Sequence, residues 1–150
     1  MSPHRQPHPT GSKSGAKAGL PSDDILPMGP FAGLGADVDW CLRDFLSVPY
    51  RIEAQTLEVQ PGVWVRRAAY PELRQCMCEA PTIEEALERL ELCRIEIIVD
   101  ILRAGRRPSV PRQPLGDCDP EGLMLRLGLH AQLAPLLDLA ASQISNSSRS

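Results

Sequence analysis

Apolar residues recur at three- and four-residue steps over residues 81–111, and this is the clearest pattern in the chain. Such spacing places side chains on one face of an amphipathic helix. Thr82 stands at the N-cap position with Glu85 three residues later, which predicts a capping box. Gly105 and Pro108 predict the end of the helix. The predicted apolar face consists of Ile83, Ala86, Leu87, Leu90, Cys93, Ile97, Ile101 and Ala104.

Alternating apolar and polar residues before the helix predict an antiparallel hairpin. Residues 50–59 alternate as a first strand, and residues 63–70 alternate as a second. The Gln-Pro-Gly at positions 60–62 is a typical turn sequence. The alternation of the second strand is interrupted near Arg67, where a bulge would account for it.

A third strand is predicted over residues 75–80, and it places Cys76 and Cys78 on one face. Two cysteines at this spacing form half of a zinc site, but zinc needs three or four ligands. The sequence offers no second pair of cysteines or histidines nearby, so we interpret both thiols as packing residues. Cys93 falls on the apolar helix face and is expected in the core. We expect no metal and no cofactor.

The N-terminal part of the chain lacks a periodic apolar pattern. Residues 1–36 are rich in Pro, Gly, Ser and His, which predicts a disordered tail. Its first 22 residues carry three basic residues and no acidic one, a charge of +3, and we favour a solvated tail over a nucleic-acid-binding arm. Residues 37–47 predict a short helix capped by Asp37, and Pro49 blocks its continuation.

The C-terminal part predicts a linker at 112–121, a strand at 123–129 and a helix at 130–143. The long helix is needed to cover the sheet because three strands alone are only marginally stable. We therefore predict an α+β fold, in which a small three-stranded antiparallel sheet packs against one long helix. The domain would span residues 37–111, followed by a short strand–helix segment at 122–150.

Composition narrows the function to binding rather than catalysis. The net charge of −3 over 150 residues gives no general attraction to nucleic acid or to an anionic membrane. Five cysteines without framework spacing indicate reduced thiols and a cytoplasmic location, and the apolar runs are too short to span a bilayer. His130 has no evident nucleophile or carboxylate partner, so we assign no catalytic residue and do not expect an enzyme.

Four short motifs occur in a fixed order along the chain, namely FLSVPYRIE, GVWVRRAAYPEL, TIEEALERLE and LRAGRRPSVP. In this order they resemble the HicB family of bacterial type II antitoxins over residues 37–146. The resemblance implies a partial RNase H-like fold. It also implies a binding role, in which the domain covers a HicA-like toxin that cleaves messenger RNA.

We expect that neutralisation is steric and uses the exposed face of the sheet. We place Trp64 and Arg66 on that face and expect them to contact the toxin. A nuclease function is not expected, because Glu53 and Glu58 are the acids of the first strand and metal-dependent nucleases need several carboxylates. A homo-oligomer is left open, and we expect no membrane partner.

The C-terminal sequence LRLGLHAQLAPLLDLAASQISN resembles a ribbon–helix–helix element, which implies DNA binding and autorepression. Met124 and Arg126 would face the DNA groove. The second helix of that pattern would begin near Ser150, so we expect a truncated element. Residues 116–150 carry four acids against two arginines, a net of −2, which argues against operator DNA as a partner. An orphan HicB-fold binding domain and a DNA-binding repressor without a toxin are the alternatives.

Overall fold

The computed structural model describes residues 39–149. The predicted N-terminal tail and the Asp37 cap therefore lie outside the described residues. The elements along the chain are α1 (Leu42–Leu46), β1 (Glu53–Gln60), β2 (Val63–Ala69), β3 (Met77–Ala80), α2 (Ile83–Arg103), α3 (Pro120–Arg126), α4 (His130–Leu133), a 3-10 turn (Ala134–Leu136) and α5 (Ala141–Ser147).

The α+β class and the three-stranded antiparallel sheet are confirmed, with strand order β1-β2-β3. The turn between β1 and β2 uses Gly62, whose φ of 77° suits a residue without a side chain. The irregularity in the hairpin falls between Glu58 and Gln60 of β1, so the bulge predicted near Arg67 is wrong.

Two strands begin later than the sequence predicts, and both have a local cause. Tyr50 is drawn into the core, where its hydroxyl donates a hydrogen bond to the Ser109 carbonyl at 2.6 Å, so β1 starts only at Glu53. Gln75 has a positive φ of 62°, which interrupts an extended backbone just before β3.

The long helix is confirmed, and its first turn begins at Thr82. The Thr82 hydroxyl accepts a hydrogen bond from the Glu85 backbone N–H at 3.3 Å, while the Glu85 carboxylate accepts from Arg89. Gly105 follows the helix with a φ of 73°, and the backbone N–H of Arg106 closes the end on the Ile101 carbonyl at 3.0 Å. Within residues 39–149, no helix is long and apolar enough to cross a membrane.

The buried surface of α2 differs from the predicted stripe. Ala86 and Leu90 are buried as expected, but Leu87 is exposed, and Ile97 and Ile101 are only partly covered. The difference arises because the sheet covers one flank of α2 and C-terminal elements cover another. The buried residues of the helix are Ala86, Leu90, Arg94, Ile95, Ile98, Val99 and Leu102.

The C-terminal strand predicted at 123–129 is wrong, because residues Pro120–Arg126 form α3. The Asp119 carboxylate accepts a hydrogen bond from the Gly122 backbone N–H at 2.9 Å, and proline is well suited to the first helical position. The helix predicted at 130–143 is also wrong. It breaks into α4, the 3-10 turn and α5 around Pro135, which has no N–H to donate.

The C-terminal elements share one hydrophobic core with the sheet, α1 and α2. Their contributions are Met124, Leu133, Leu137 and Ile144, all buried. Two backbone hydrogen bonds tie this part to the start of α1, from Leu42 N–H to the Leu139 carbonyl and from Ala141 N–H to the Trp40 carbonyl. No break in the core therefore marks the predicted linker at 112–121.

Replacing Ile144 by alanine should test this shared core. Ile144 is 1% exposed, and removing a buried isoleucine to alanine costs about 2–5 kcal/mol of unfolding free energy. Urea denaturation followed by circular dichroism measures the loss in one cooperative transition. Leu125→Ala is the matched control, because Leu125 is 60% exposed and should change stability little. An unchanged main transition in Ile144→Ala would contradict a single core.

Candidate protein-binding surface

The hairpin formed by β1 and β2 extends beyond the part of the sheet that α2 covers. The strand β3 ends at Ala80, which pairs with Arg66, so residues 63–65 of β2 have no partner in β3. The residues of β1 are exposed apart from Leu57, which is partly covered. Residues 57–65 therefore form a two-stranded projection, the hairpin tip.

The hairpin tip exposes large apolar side chains. Trp64 is 54% exposed, and Val59 and Val63 are similarly accessible. Exposed apolar residues gathered in one place, unlike those scattered singly, are typical of interaction sites. The tip is ordered by its own hydrogen bonds, since the Gly62 backbone N–H donates to the Glu58 carboxylate at 2.8 Å.

Trp64 and Arg66 lie on the helix side of the sheet, so their predicted place on the opposite, open face is wrong. Residues paired across antiparallel strands share a face, and Arg66 pairs with Ala80. Ala80 and Ala68 are buried on the side that α2 covers, which fixes the orientation of the alternate residues of β2. Trp64 stays exposed because it belongs to the tip. The Arg66 guanidinium donates a hydrogen bond to the Thr56 hydroxyl across the hairpin.

The open face of the sheet combines apolar and charged side chains. Val65 and Leu57 pair at the tip, and Met77 is 51% exposed near the other end. Between them Arg67 and Glu79 form an ion pair at 2.8 Å. This face and the tip together can bind a protein partner through apolar contacts, with polar groups fixing its orientation.

Arg126 does not have the position that the ribbon–helix–helix resemblance implies for contact with DNA. The strand expected to carry it is helix α3, and Met124, expected to face DNA with it, is fully buried. Arg126 instead lines a groove of about 340 Å³ against α2. The other charged residues of that groove are acidic, which is unfavourable for phosphate groups. They are Glu84, Glu88 and Glu91.

A buried charge network, missed by the sequence interpretation, joins α1, the sheet and α2. The Arg94 side chain is buried and donates hydrogen bonds to the Leu46 carbonyl at 3.0 Å and to the Glu91 carboxylate at 2.8 Å. The Tyr70 hydroxyl donates to the same carboxylate, and burial raises the pKa of Tyr70 well above its usual range. The available signal was Arg94 itself, four residues from Leu90 within an apolar helix face.

An exposed ion pair fixes the segment after α2 beside the entry to β1. The Arg112 guanidinium donates to the Glu72 carboxylate at 2.7 and 3.0 Å, and it also donates to the Pro49 carbonyl. The Arg51 backbone N–H donates to Glu72 as well, at 2.8 Å. The hydrogen bond from Arg112 is the main cause that lowers the pKa of Glu72 below its ordinary value.

Three cysteines belong to the region where β3 packs on α2. Cys78 lies on β3, Cys93 lies on α2, and Cys76 precedes β3. Burial is the main cause that raises the pKa values of Cys76 and Cys78, to about 12 and about 11. Among the described residues, no group of three or more histidines, cysteines or acidic residues is arranged to hold a metal ion.

Comparisons of this chain with protein-family models, with curated proteins and with solved structures found no match. Its resemblance to the HicB family therefore stays a prediction carried by the sequence motifs. The hairpin tip and the open face of the sheet form the candidate binding surface.

Replacing Glu72 by glutamine should lower stability at neutral pH but not in acid. A carboxylate with a depressed pKa stabilises the fold above its ordinary value of 4.5, and this contribution is lost as pH falls through the lower folded value. The loss at pH 7 should be up to about 1 kcal/mol, as for a solvent-exposed pair. Melting curves at pH 7 and pH 3 measure it.

Glu88→Gln, on the exposed side of α2, is the matched control for this substitution. It removes one negative charge without touching the contacts of Arg112. An equal loss at both pH values in Glu72→Gln would show that packing, rather than the charge, is responsible.

Proposed function

We propose that this chain is a HicB-like antitoxin, which neutralises a HicA-like mRNA-cleaving toxin in the cytoplasm by binding it. The mechanism is steric, because the bound domain covers the RNA-cleaving surface and performs no reaction itself. The observation that carries the proposal is the hairpin tip, which presents Trp64, Val59 and Val63 to solvent beyond the helix-covered sheet.

Trp64 is suited to be the central contact. Tryptophan is enriched among the residues that dominate binding energy, since it buries a large area at a low cost in conformational entropy. Its neighbours restrict its backbone, because Trp64 pairs with Glu58 across the hairpin and Arg66 is bonded to Thr56. A partner pocket that accepts the indole ring would therefore meet a pre-organised anchor.

The acidic side chains of β1 also favour a partner protein that binds RNA. The strand EAQTLEVQ contains Glu53 and Glu58 and no basic residue. A protein that binds RNA carries a basic surface to attract phosphate groups. Glu53 is paired with Arg51 at 2.9 Å, so Glu58 beside the apolar tip is the acid of β1 that is complementary to such a surface and would compete with RNA for it.

Operator binding is not part of the proposal. The groove around Arg126 contains three glutamates, and the ribbon strand on which DNA contact depends is helical. Autoregulation by this chain would need a different surface. The alternative is a protein-binding domain with an unrelated target. Co-expression with the neighbouring protein distinguishes this alternative from the antitoxin function.

Co-expression with the small protein encoded in the adjacent reading frame tests the function. We expect that the neighbour alone arrests growth, that this chain restores it, and that the two proteins co-purify as a stable complex. Growth arrest without rescue, while this chain is folded by circular dichroism, would contradict the antitoxin function. It would favour an orphan binding domain.

Trp64→Ala should weaken this complex while leaving the fold intact. Truncating a central tryptophan anchor costs about 2 kcal/mol or more, which is roughly a 30-fold rise in Kd. Calorimetric titration of the toxin-like partner with each variant measures the change. Leu125→Ala is the control, because it removes an equally exposed apolar side chain from α3.

Two outcomes of that titration would contradict the assignment of the tip. One is unchanged affinity in Trp64→Ala. The other is an equal loss in Leu125→Ala, which would place the interface on α3 or spread it over the whole surface.

A further inference from the structure

The outer edge of β1 has no strand paired with it among the described residues. In the order β1-β2-β3, β1 bonds to β2 on one side only. The helix α2 packs on β2 and β3, and no extensive contact joins it to β1. An unpaired edge is a template for a further strand, and proteins often protect it with Lys or Pro or by keeping it short. The eight residues of β1, EAQTLEVQ, contain neither Lys nor Pro.

The opposite edge of the sheet is better protected. The strand β3 has four residues, and the Glu79 carbonyl accepts a hydrogen bond from the Arg89 guanidinium at 2.9 Å. The irregularity of β1 lies only at its tip end, between Glu58 and Gln60, so the preceding residues pair regularly with β2. The edge that offers the longest regular backbone for pairing is therefore that of β1.

We propose that a second copy of this chain pairs with β1 in antiparallel fashion, about a twofold axis at Leu57, and joins two sheets into one of six strands. Residues opposite each other then share a face, so Leu57 meets Leu57 of the second copy and Thr56 meets Glu58. On the open face Leu57 already pairs with Val65 of its own hairpin. The axis at Leu57 therefore builds a row of four apolar side chains across the two copies.

Charged side chains on the other face complement this pairing. The Arg66 guanidinium bonds to the Thr56 hydroxyl, so it extends across the hairpin toward the free edge. Among the residues that the structure describes, Arg66 has no carboxylate in ion-pair contact, and neither has Glu58 a basic side chain. One Glu58 carboxylate oxygen accepts from the Gly62 backbone N–H, and the second oxygen is available.

The proposed register brings these two unpaired charges together. Glu58 of the second copy lies opposite Thr56, and Thr56 pairs with Arg66 in its own hairpin. The backbones of Glu58 and Arg66 are then two strand spacings apart, about 10 Å, which the two long side chains together can span. The twofold axis forms this ion pair twice.

Neighbouring registers lack this complementarity. An axis at Thr56 places Ala54 opposite Glu58, and Ala54 pairs with Ala68 rather than with a basic residue. An axis at Glu58 places two glutamates opposite each other, which is destabilising. The axis at Leu57 is the one that joins both the apolar row and the ion pairs.

The pairing does not rest on the proposed antitoxin function, because it needs only the isolated chain. Trp64 lies on β2 and takes no part in it. Glu58 is shared between the pairing and the proposed toxin contact, so a toxin that binds Glu58 would compete with the second copy.

Sedimentation equilibrium of the whole chain over a range of concentrations tests the proposal. A pair of strand edges is a small interface, below about 1,200 Å², so the dimer should be weak and should dissociate on dilution. We expect the average mass to rise from that of one chain toward that of two as the concentration increases to about 1 mM.

Leu57→Lys should raise the dimer Kd about tenfold or more, because it replaces the central apolar contact by two like charges. Met77→Lys is the matched control. It makes the same kind of change at a residue that is 51% exposed on β3, outside the proposed interface, and should leave the Kd unchanged.

Exchange of the two charges tests the register. Glu58→Lys alone and Arg66→Glu alone should each raise the Kd about fivefold or more, since each places like charges side by side twice. The double variant Glu58→Lys/Arg66→Glu should restore the affinity. Circular dichroism checks that every variant is folded.

Four results would overturn the proposal. They are a folded wild-type chain that stays monomeric up to about 1 mM, a dimer unaffected by Leu57→Lys, an equal loss in Met77→Lys, and a folded double variant without restored affinity. The last three would place the contact on another surface or in another register.

Discussion

The burial of α2 on more than one side is the constraint on which the rest of the structure depends. One sheet is enough to bury the apolar face of a helix that has a single apolar stripe. The helix α2 also buries Ile95, Val99 and Leu102. Each such side chain contributes roughly 1.5–3 kcal/mol when removed from water. Three short strands cannot cover this surface, so α1 and the C-terminal helices complete the core. Because these other elements cover the rest of α2, the hairpin of β1 and β2 can extend into solvent.

The sheet and the long helix could be predicted because their signals lie within a few residues of each element. The predictions that failed concern features that depend on contacts between distant parts of the chain. Thr82 caps the start of α2 with its hydroxyl, and Gly105 follows its end with a positive φ, so both residues could be identified in the sequence. The alternating leucines after Asp119 resemble a strand, but the Asp-Pro start and the shared core select a helix instead. The buried width of α2 depends on elements far along the chain, which periodicity alone does not report.

The face of the sheet on which Trp64 and Arg66 lie could not be predicted from the sequence. Trp64 could be selected from the sequence because a large aromatic residue that is exposed on a hairpin indicates an interaction site. Its face is set by the pairing of Arg66 with Ala80, and that register depends on where β3 ends. Arg94 was missed for a similar reason. A buried arginine is acceptable only where Leu46 and Glu91 offer acceptors, and those partners are assembled by the tertiary fold.

The structure separates what holds the fold from what is available for binding. The Arg94 network lies where α2 meets its neighbours, whereas the hairpin tip lies beyond the last pair of β3. Contacts made at the tip need not disturb the core, because the side chains there are already outside it. Ala68 and Ala80 are buried on the side of the sheet that α2 covers, whereas Trp64 lies outside that contact and is 54% exposed. The packing of α2 therefore does not depend on the Trp64 side chain.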